Sequence, residues 1–250
     1  MGFSGRAPAV IAGIAMLAAA GDFRTTVRAQ APARAPQASA AAAKPPNLNG
    51  IWTRTRSETP KELPLNKRGL ALRDAIDESL TPIYDCVPET VPHILGDPYN
   101  FSFEQQNDRV IQRFEKDAVV RTFWLEGHGH RGPSNSDYGI HGYSMAHYEG
   151  DTLVVVTTKY TFEVGGIEDK VPMASSSTLK KVTERYSRKG DQLIADVTME
   201  DKLMLTAPVK FYYEFKPTKE ALVEWPDCDP DEARLPFNYI PVNQLKYGVR

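Results

Sequence analysis

From about residue 101 the chain alternates apolar and polar residues with the period of a β-strand. Phe101 and Phe103 alternate with Ser102 and Glu104, a turn at Asn107-Asp108 leads into RVIQRFE, and a second at Lys116-Asp117 leads into AVVRTFWLE. Successive side chains of a strand point to opposite faces, so this alternation marks segments with one face in a core and one outside it. Residues 143–149 and 151–159 make the clearest hairpin, with Glu149-Gly150-Asp151 as its turn. TLKKVTERYSR and LIADVTME form another around Lys189-Gly190-Asp191, with Leu193, Ala195, Val197 and Met199 on one face. Val209, Phe211, Tyr213 and Phe215 repeat the pattern after Pro208. Upstream, IWTRTR (51–56) begins a strand, and Asn66 to Ser79 has a partial helical face in Leu70, Leu72, Ala75 and Ile76. Pro82, Pro88, Pro92 and Pro98 then interrupt regular structure. Eight to ten short antiparallel strands with tight turns predict an all-β barrel or strongly curved sandwich, with one short helix and irregular, proline-rich crossings.

The start of the chain reads differently. Residues 1–31 carry Arg6, an apolar run from Ala7 to Ala20, and small residues that fit a cleavage site at Ala18-Ala19-Ala20 or Ala29-Gln30-Ala31. The run is short for a membrane span, so a secretory signal peptide is the expectation, and with it a periplasmic or secreted protein having no membrane span in its mature form. Residues 32–46, rich in Ala and Pro, read as a flexible spacer, leaving residues 47–250 as a single domain. The 30 basic and 32 acidic residues give no cationic excess, which argues against a nucleic-acid partner. Two cysteines are too few for a disulfide-built mini-scaffold, but in an oxidising compartment Cys86 and Cys228 are expected to pair. The stretch EVGGIEDKVP reads as a connection long enough to act as a flap, and Lys180-Lys181 as a solvated charge pair. The tail from Pro226 to Pro241, with Leu235, Phe237, Tyr239 and Ile240, is expected to pack back across the barrel.

Two resemblances add to this reading. Gly50-Ile51-Trp52 at the start of the first strand resembles the Gly-x-Trp signature of lipocalins and other calycins. That likeness implies a lipocalin-like barrel in which Trp52 plugs one end and a late-strand arginine, here Arg185, packs over it. The run Gly142-Tyr143-Ser144 through Glu149-Gly150-Asp151-Thr152-Leu153-Val154-Val155 resembles a family of exported, uncharacterised bacterial proteins with the pattern G-H-S-x-G-x-W-E-G-D-T-L-V-V. Leu48-x-Gly50-x-Trp52, Cys86-x-Pro88, Thr183-Glu184-Arg185-Tyr186 and Glu224-x-x-x-Cys228 fit the same family. The resemblance implies fold and export and supplies no reaction. It also has departures: Tyr143 stands where that family has His, its His-Ser is missing before Ser177, and Glu126-Gly127-His128-Gly129-His130-Arg131 replaces D-G-R-x-H-P.

Candidate chemistry gathers in one region. His128, His130, His141 and His147 fall within twenty residues. His128 and His130 would share a face if their segment were extended, a pair suited to Zn²⁺, Cu²⁺ or Fe²⁺ with a third ligand from His141, His147 or Glu126. Without a metal, His128, His130 or His147 with Tyr143 are candidate acid–base residues, because imidazole titrates near neutrality and a phenol can support a developing oxyanion. Arg121, Phe123, Trp124, Tyr138 and His141 are the candidate ligand-binding residues, with Phe211 and Tyr213 as further apolar walls. A nucleophile elbow, a phosphate-cradling glycine loop and a dinucleotide fingerprint are all missing, so no organic cofactor is expected. The leading expectation is an exported barrel that holds a small hydrophobic or aromatic molecule. The alternatives are a cofactor-independent lyase, isomerase or hydrolase, and third a metal-dependent protein.

Overall fold

The alternating segments close on themselves. In the computed structural model, which describes residues 44–77, 82–170, 172–225 and 228–235, nine strands form a closed barrel. They are β1 (Gly50–Glu58), β2 (Phe101–Gln105), β3 (Arg109–Phe114), β4 (Val120–Leu125), β5 (Tyr143–Glu149), β6 (Thr152–Thr158), β9 (Lys181–Lys189), β10 (Gln192–Glu200) and β11 (Val209–Thr218). β7 (Glu163–Glu168) and β8 (Ala174–Ser176) pair separately as a two-stranded sheet. Round the barrel the order is β1-β11-β10-β9-β6-β5-β4-β3-β2, and the short β1–β2 ladder from Gly50↔Phe103 to Trp52↔Phe101 completes the ring. Closure leaves none of the nine barrel strands at a sheet edge, which removes a route to edge-to-edge association through the barrel. The expected leader at residues 1–31, spacer residues 32–43, and Phe237, Tyr239 and Ile240 of the tail lie outside the described residues.

The expected hairpins form with their glycines in the left-handed region, Gly150 at φ 62° and Gly190 at φ 65°. One ladder departs from antiparallel pairing: β4 and β5 run parallel, Phe123↔Ser144 to Leu125↔Ala146, because the long connection 126–142 carries the chain back before β5 begins. The connection expected at EVGGIEDKVP is instead largely β7, paired to β8. Gly166 makes that pairing close: a Cβ there would lie 2.2 Å from Ser176 Oγ and 2.6 Å from Glu163 Oε2.

Helix α1 (Lys67–Ala75) is shorter than the expected span because Ile76 is already extended. Asn66 caps it, its side chain accepting from Arg68 N at 2.9 Å and Gly69 N at 3.0 Å. The helix docks through Gly69, where a Cβ would lie 2.5 Å from Met204 O, while Leu70 is exposed. A second short helix, α2 (Pro230–Ala233), follows the Cys86–Cys228 disulfide, whose Cα atoms are 5.6 Å apart across 142 positions. Arg234 also forms an ion pair with Asp85 beside that bridge.

The barrel axis is filled along its length. Phe101 contacts Phe103, Phe114 and Phe215 at centroid distances of 5.3, 5.4 and 4.9 Å, and Tyr186 packs on Phe103 at 5.0 Å. At the end where β1 begins, Trp52 is buried and donates from Nε1 to Leu48 O at 2.9 Å. The arginine over its ring is Arg188, 4.7 Å from the centroid and held by the carbonyls of Asn47, Gly190 and Asp191. Arg185 does not take this part. It alternates with the inward-facing Glu184 and Tyr186, so it points out of the barrel and pairs with Glu149 at 2.7 Å. Trp52→Ala is therefore expected to cost about 3–5 kcal/mol in urea unfolding. Arg185→Ala should stay within about 0.5 kcal/mol; a larger loss for Arg185→Ala than for Arg188→Ala would contradict this assignment.

Candidate functional site

Above the aromatic layer the interior turns polar. On β4, Arg121 shares the inward face with Phe123 and Leu125; on β9, Glu184 shares it with Val182 and Tyr186. The two charges meet inside the barrel, with Arg121 Nη1 and Nη2 donating to the two oxygens of Glu184 at 2.9 and 2.5 Å. Gln112 Oε1 accepts from Arg121 Nη1 at 2.8 Å, Thr157 Oγ1 accepts from Nη2 at 3.3 Å, and Tyr186 donates to Glu184 at 2.6 Å. Both side chains are almost fully buried. Burial opposes the guanidinium charge, but Glu184 outweighs it, so the Arg121 pKa is raised. Both Nη groups thus go to internal partners in place of the expected ligand, and Nε is buried without one; Phe123 likewise packs into the core, stacked on Tyr186.

At the far end from Trp52, the crossing that includes the 3-10 turn His93–Gly96 covers the mouth. Tyr213 donates to Pro92 O at 3.0 Å, and His93 meets Phe211 edge-on at 5.8 Å. Beneath this cover Lys180 is buried, donating to Thr90 Oγ1 at 2.8 Å and Glu163 Oε2 at 3.3 Å, with its ammonium 4.8 Å from the centre of the Tyr160 ring. Burial lowers the Lys180 pKa even though Glu163 opposes the shift. Next to this group lies a cavity of about 120 Å³. Val87, Val164 and Met173 give it apolar walls, and Thr90, His93, Glu163 and Asp169 give it polar ones. Glu89 also lines it, and burial pushes the Glu89 carboxyl up from 4.5 to about 7 although Lys116 stands 2.7 Å away.

The expected histidine constellation is taken apart by the fold. Gly127 and Gly129, at φ 80° and 85°, turn the segment so that it is not extended, and the His128–His130 pair loses the shared face on which a metal was considered. His128 is exposed. His130 lies on the outer wall, stacked on Trp124 at 3.6 Å with 12° between the rings. It meets Tyr143, Nδ1 to Oη 2.7 Å, so this expected pair does come together, but on the outside. Trp124 points outward too, with Arg109 over its ring at 4.3 Å, and is not a wall of the interior. His147 sits on the same face of β5 as Tyr143 and contacts Glu149 at 3.1 Å and Glu126 at 3.8 Å. Tyr138 is exposed, with Lys159 Nζ 4.9 Å from its ring centre. His141 alone faces inward charges: burial, Arg121 and Lys180 lower its pKa to about 4. None of these residues lines the cavity at the mouth.

No local pattern singles out the residues that do line it, and beside them Lys180 departs from its expected place. Lys180 is not half of a solvated pair; only Lys181 is outside, bound to Glu200 at 2.8 Å. The signal was present in the parity of the strand, since positions 180, 182, 184 and 186 share the inward face. His93, Thr90, Glu163 and Asp169 come from irregular or short elements whose meeting no local pattern announces. Among the described residues, the metal-ligating side chains that converge are His93, Glu168 and Asp169, whose ligand atoms lie within 4.8 Å of one another.

No protein-family model matches the chain, and no curated protein sequence matches it. Solved structures similar to it include a zebrafish ileal bile acid-binding protein complexed with cholic acid, at 12% identity and a TM-score of 0.33, covering 68% of this chain and 98% of that one. The fluorescent protein UnaG is 16% identical with a TM-score of 0.35, covering 68% and 96% of the two chains. Fatty-acid-binding protein 1 of Echinococcus granulosus is 13% identical with a TM-score of 0.36, again covering 68% and 96%.

Two outcomes test this geometry. Glu184→Leu leaves the Arg121 charge buried without its partner and should cost about 3–5 kcal/mol in urea unfolding. The Arg121→Met/Glu184→Leu double variant should lose less than that single change, which only a mutually dependent pair explains. His141 is neutral in the folded state, so the stability it supports is full above its ordinary pKa of 6.5 and is lost as pH falls through about 4. Stability measured from pH 7 to pH 4 should therefore fall less steeply in His141→Gln than in the parent chain.

Proposed function

We propose that this protein is a small-molecule-binding barrel whose ligand occupies the capped mouth instead of the barrel axis. One observation carries the reading: aromatic side chains and the Arg121–Glu184 layer fill the axis, while the space beside His93 and Val164 has walls of mixed polarity. A volume of about 120 Å³ suits a molecule of roughly one aromatic ring. Apolar walls on one side and carboxylates on the other favour a small aromatic or aliphatic body carrying a hydrogen-bond donor, such as a phenol or an aryl amine. The acid–base alternative has its His130–Tyr143 pair on the outer wall, where neither residue lines the cavity, so binding fits the geometry better. Export is part of the proposal, and the Cys86–Cys228 disulfide supports it because such bonds persist in oxidising compartments.

Titration with phenol and aniline, followed by chemical-shift changes at Met173 and His93, tests the site. Val164→Phe is expected to fill the cavity and weaken binding of both probes by about ten-fold or more while the fold persists. Binding of a long-chain fatty acid in place of the ring compounds would require an emptied axis and would overturn the reading.

A further inference from the structure

The crossing at residues 87–96 and the end of β7 bring three ligating side chains to the edge of the cavity. The His93 side chain is nine-tenths buried, and its Nε2 lies 3.0 Å from Ile167 O. A carbonyl only accepts, so this contact keeps the ring proton on Nε2 and leaves Nδ1 with a bare lone pair. That lone pair faces Asp169 Oδ1 at 3.5 Å, too long for a hydrogen bond, with a Glu168 carboxylate oxygen inside the same 4.8 Å group. Three acceptors therefore converge on one spot, an arrangement that favours a cation among them. The neighbouring ammonium of Lys180 is engaged by Thr90 and Glu163 and does not serve this spot.

We propose that His93, Glu168 and Asp169 form a binding site for a divalent transition metal ion of the Zn²⁺ type, with His93 Nδ1 and one oxygen from each carboxylate as ligands. One imidazole and two carboxylates match the ligand preferences of Zn²⁺, for which hard-ion sites built only of oxygen are the wrong kind. The Ile167 carbonyl supplies what ligating histidines regularly have, a partner on the other ring nitrogen that fixes tautomer and ring orientation. The Lys170 backbone N–H does the same for Glu168, donating to Oε1 at 3.1 Å. Three protein ligands leave a tetrahedral ion one position short, and His93 and Asp169 both line the cavity, so that position is available to water or to a donor atom of a molecule bound there. The site belongs to none of the outer histidines, and it holds whether or not an organic molecule enters the cavity.

The test is calorimetric titration of the purified chain with Zn²⁺ and a parallel titration with Co²⁺ read by visible absorption. One ion per chain is expected, with the Co²⁺ bands of a low-coordinate nitrogen–oxygen site. Asp169→Asn, nearly isosteric, should weaken Zn²⁺ binding by about ten-fold or more, and His93→Gln likewise. His128→Ala/His130→Ala should leave it unchanged, and Zn²⁺ should bind with or without phenol present, which separates the metal site from the organic ligand site. If circular dichroism shows that His93→Gln does not fold, Asp169→Asn decides alone. No binding up to millimolar Zn²⁺, undiminished binding in Asp169→Asn, or loss of binding in the outer-histidine variant would each overturn the proposal.

Discussion

An ion pair sealed inside the barrel organises what surrounds it. Arg121 and Glu184 are on strands that are not neighbours, and each would be very costly in the interior without the other. Their meeting requires β4 and β9 to hold a fixed register across the ring, and it dictates the orientation of Gln112, Thr157 and Tyr186, which add hydrogen bonds to the pair while Arg121 Nε stays buried without one. Below this layer the interior is rich in packed aromatic rings. Above it, polar groups can be kept because the layer already breaks the apolar core.

That division explains where a binding site can be. A barrel of this strand number encloses a ligand where inward side chains are small, and here Phe, Tyr, Leu and Met stand among the Val and Ala of the interior. Room is left instead between the irregular crossing at residues 87–93 and the β7 segment that packs beside it. The buried Lys180, tied to Thr90 and Glu163, anchors that cover to the barrel rim, so the cover and the cavity beneath it are built by the same contacts. On the outer wall, the Arg109–Trp124–His130–Tyr143 stack performs a different task, pinning the long connection 126–142 against the sheet whose parallel β4–β5 ladder that connection makes possible.

Strand content, hairpin turns and the disulfide partners were legible from local pattern, and the buried Trp52 at the start of β1 from the calycin resemblance. Period-two alternation reports which side of a strand is buried, glycine at a turn reports a left-handed backbone, and two cysteines allow one pairing. The same alternation, carried along β9, puts Arg188 and Lys180 on the face of Val182, Glu184 and Tyr186, whereas the resemblance pointed to Arg185 and the charge of Lys180 pointed to solvent. Charge was the misleading cue: a lysine pair and an arginine read as solvated or ligand-directed when nothing in the sequence names their partners.

By itself, then, the sequence determined an all-β chain, the faces of its strands and the staple between Cys86 and Cys228. Only tertiary structure decided that four clustered histidines go to different places, and that His93, distant from all of them, joins Glu168 and Asp169. The physical reason is range. Alternation and turn chemistry act between residues a few positions apart, whereas a site is assembled from residues that closure of the barrel and the crossing of its cover bring together. Whether a charge is inside such a structure depends on a partner tens of residues away, as Arg121 depends on Glu184 and Lys180 on Thr90.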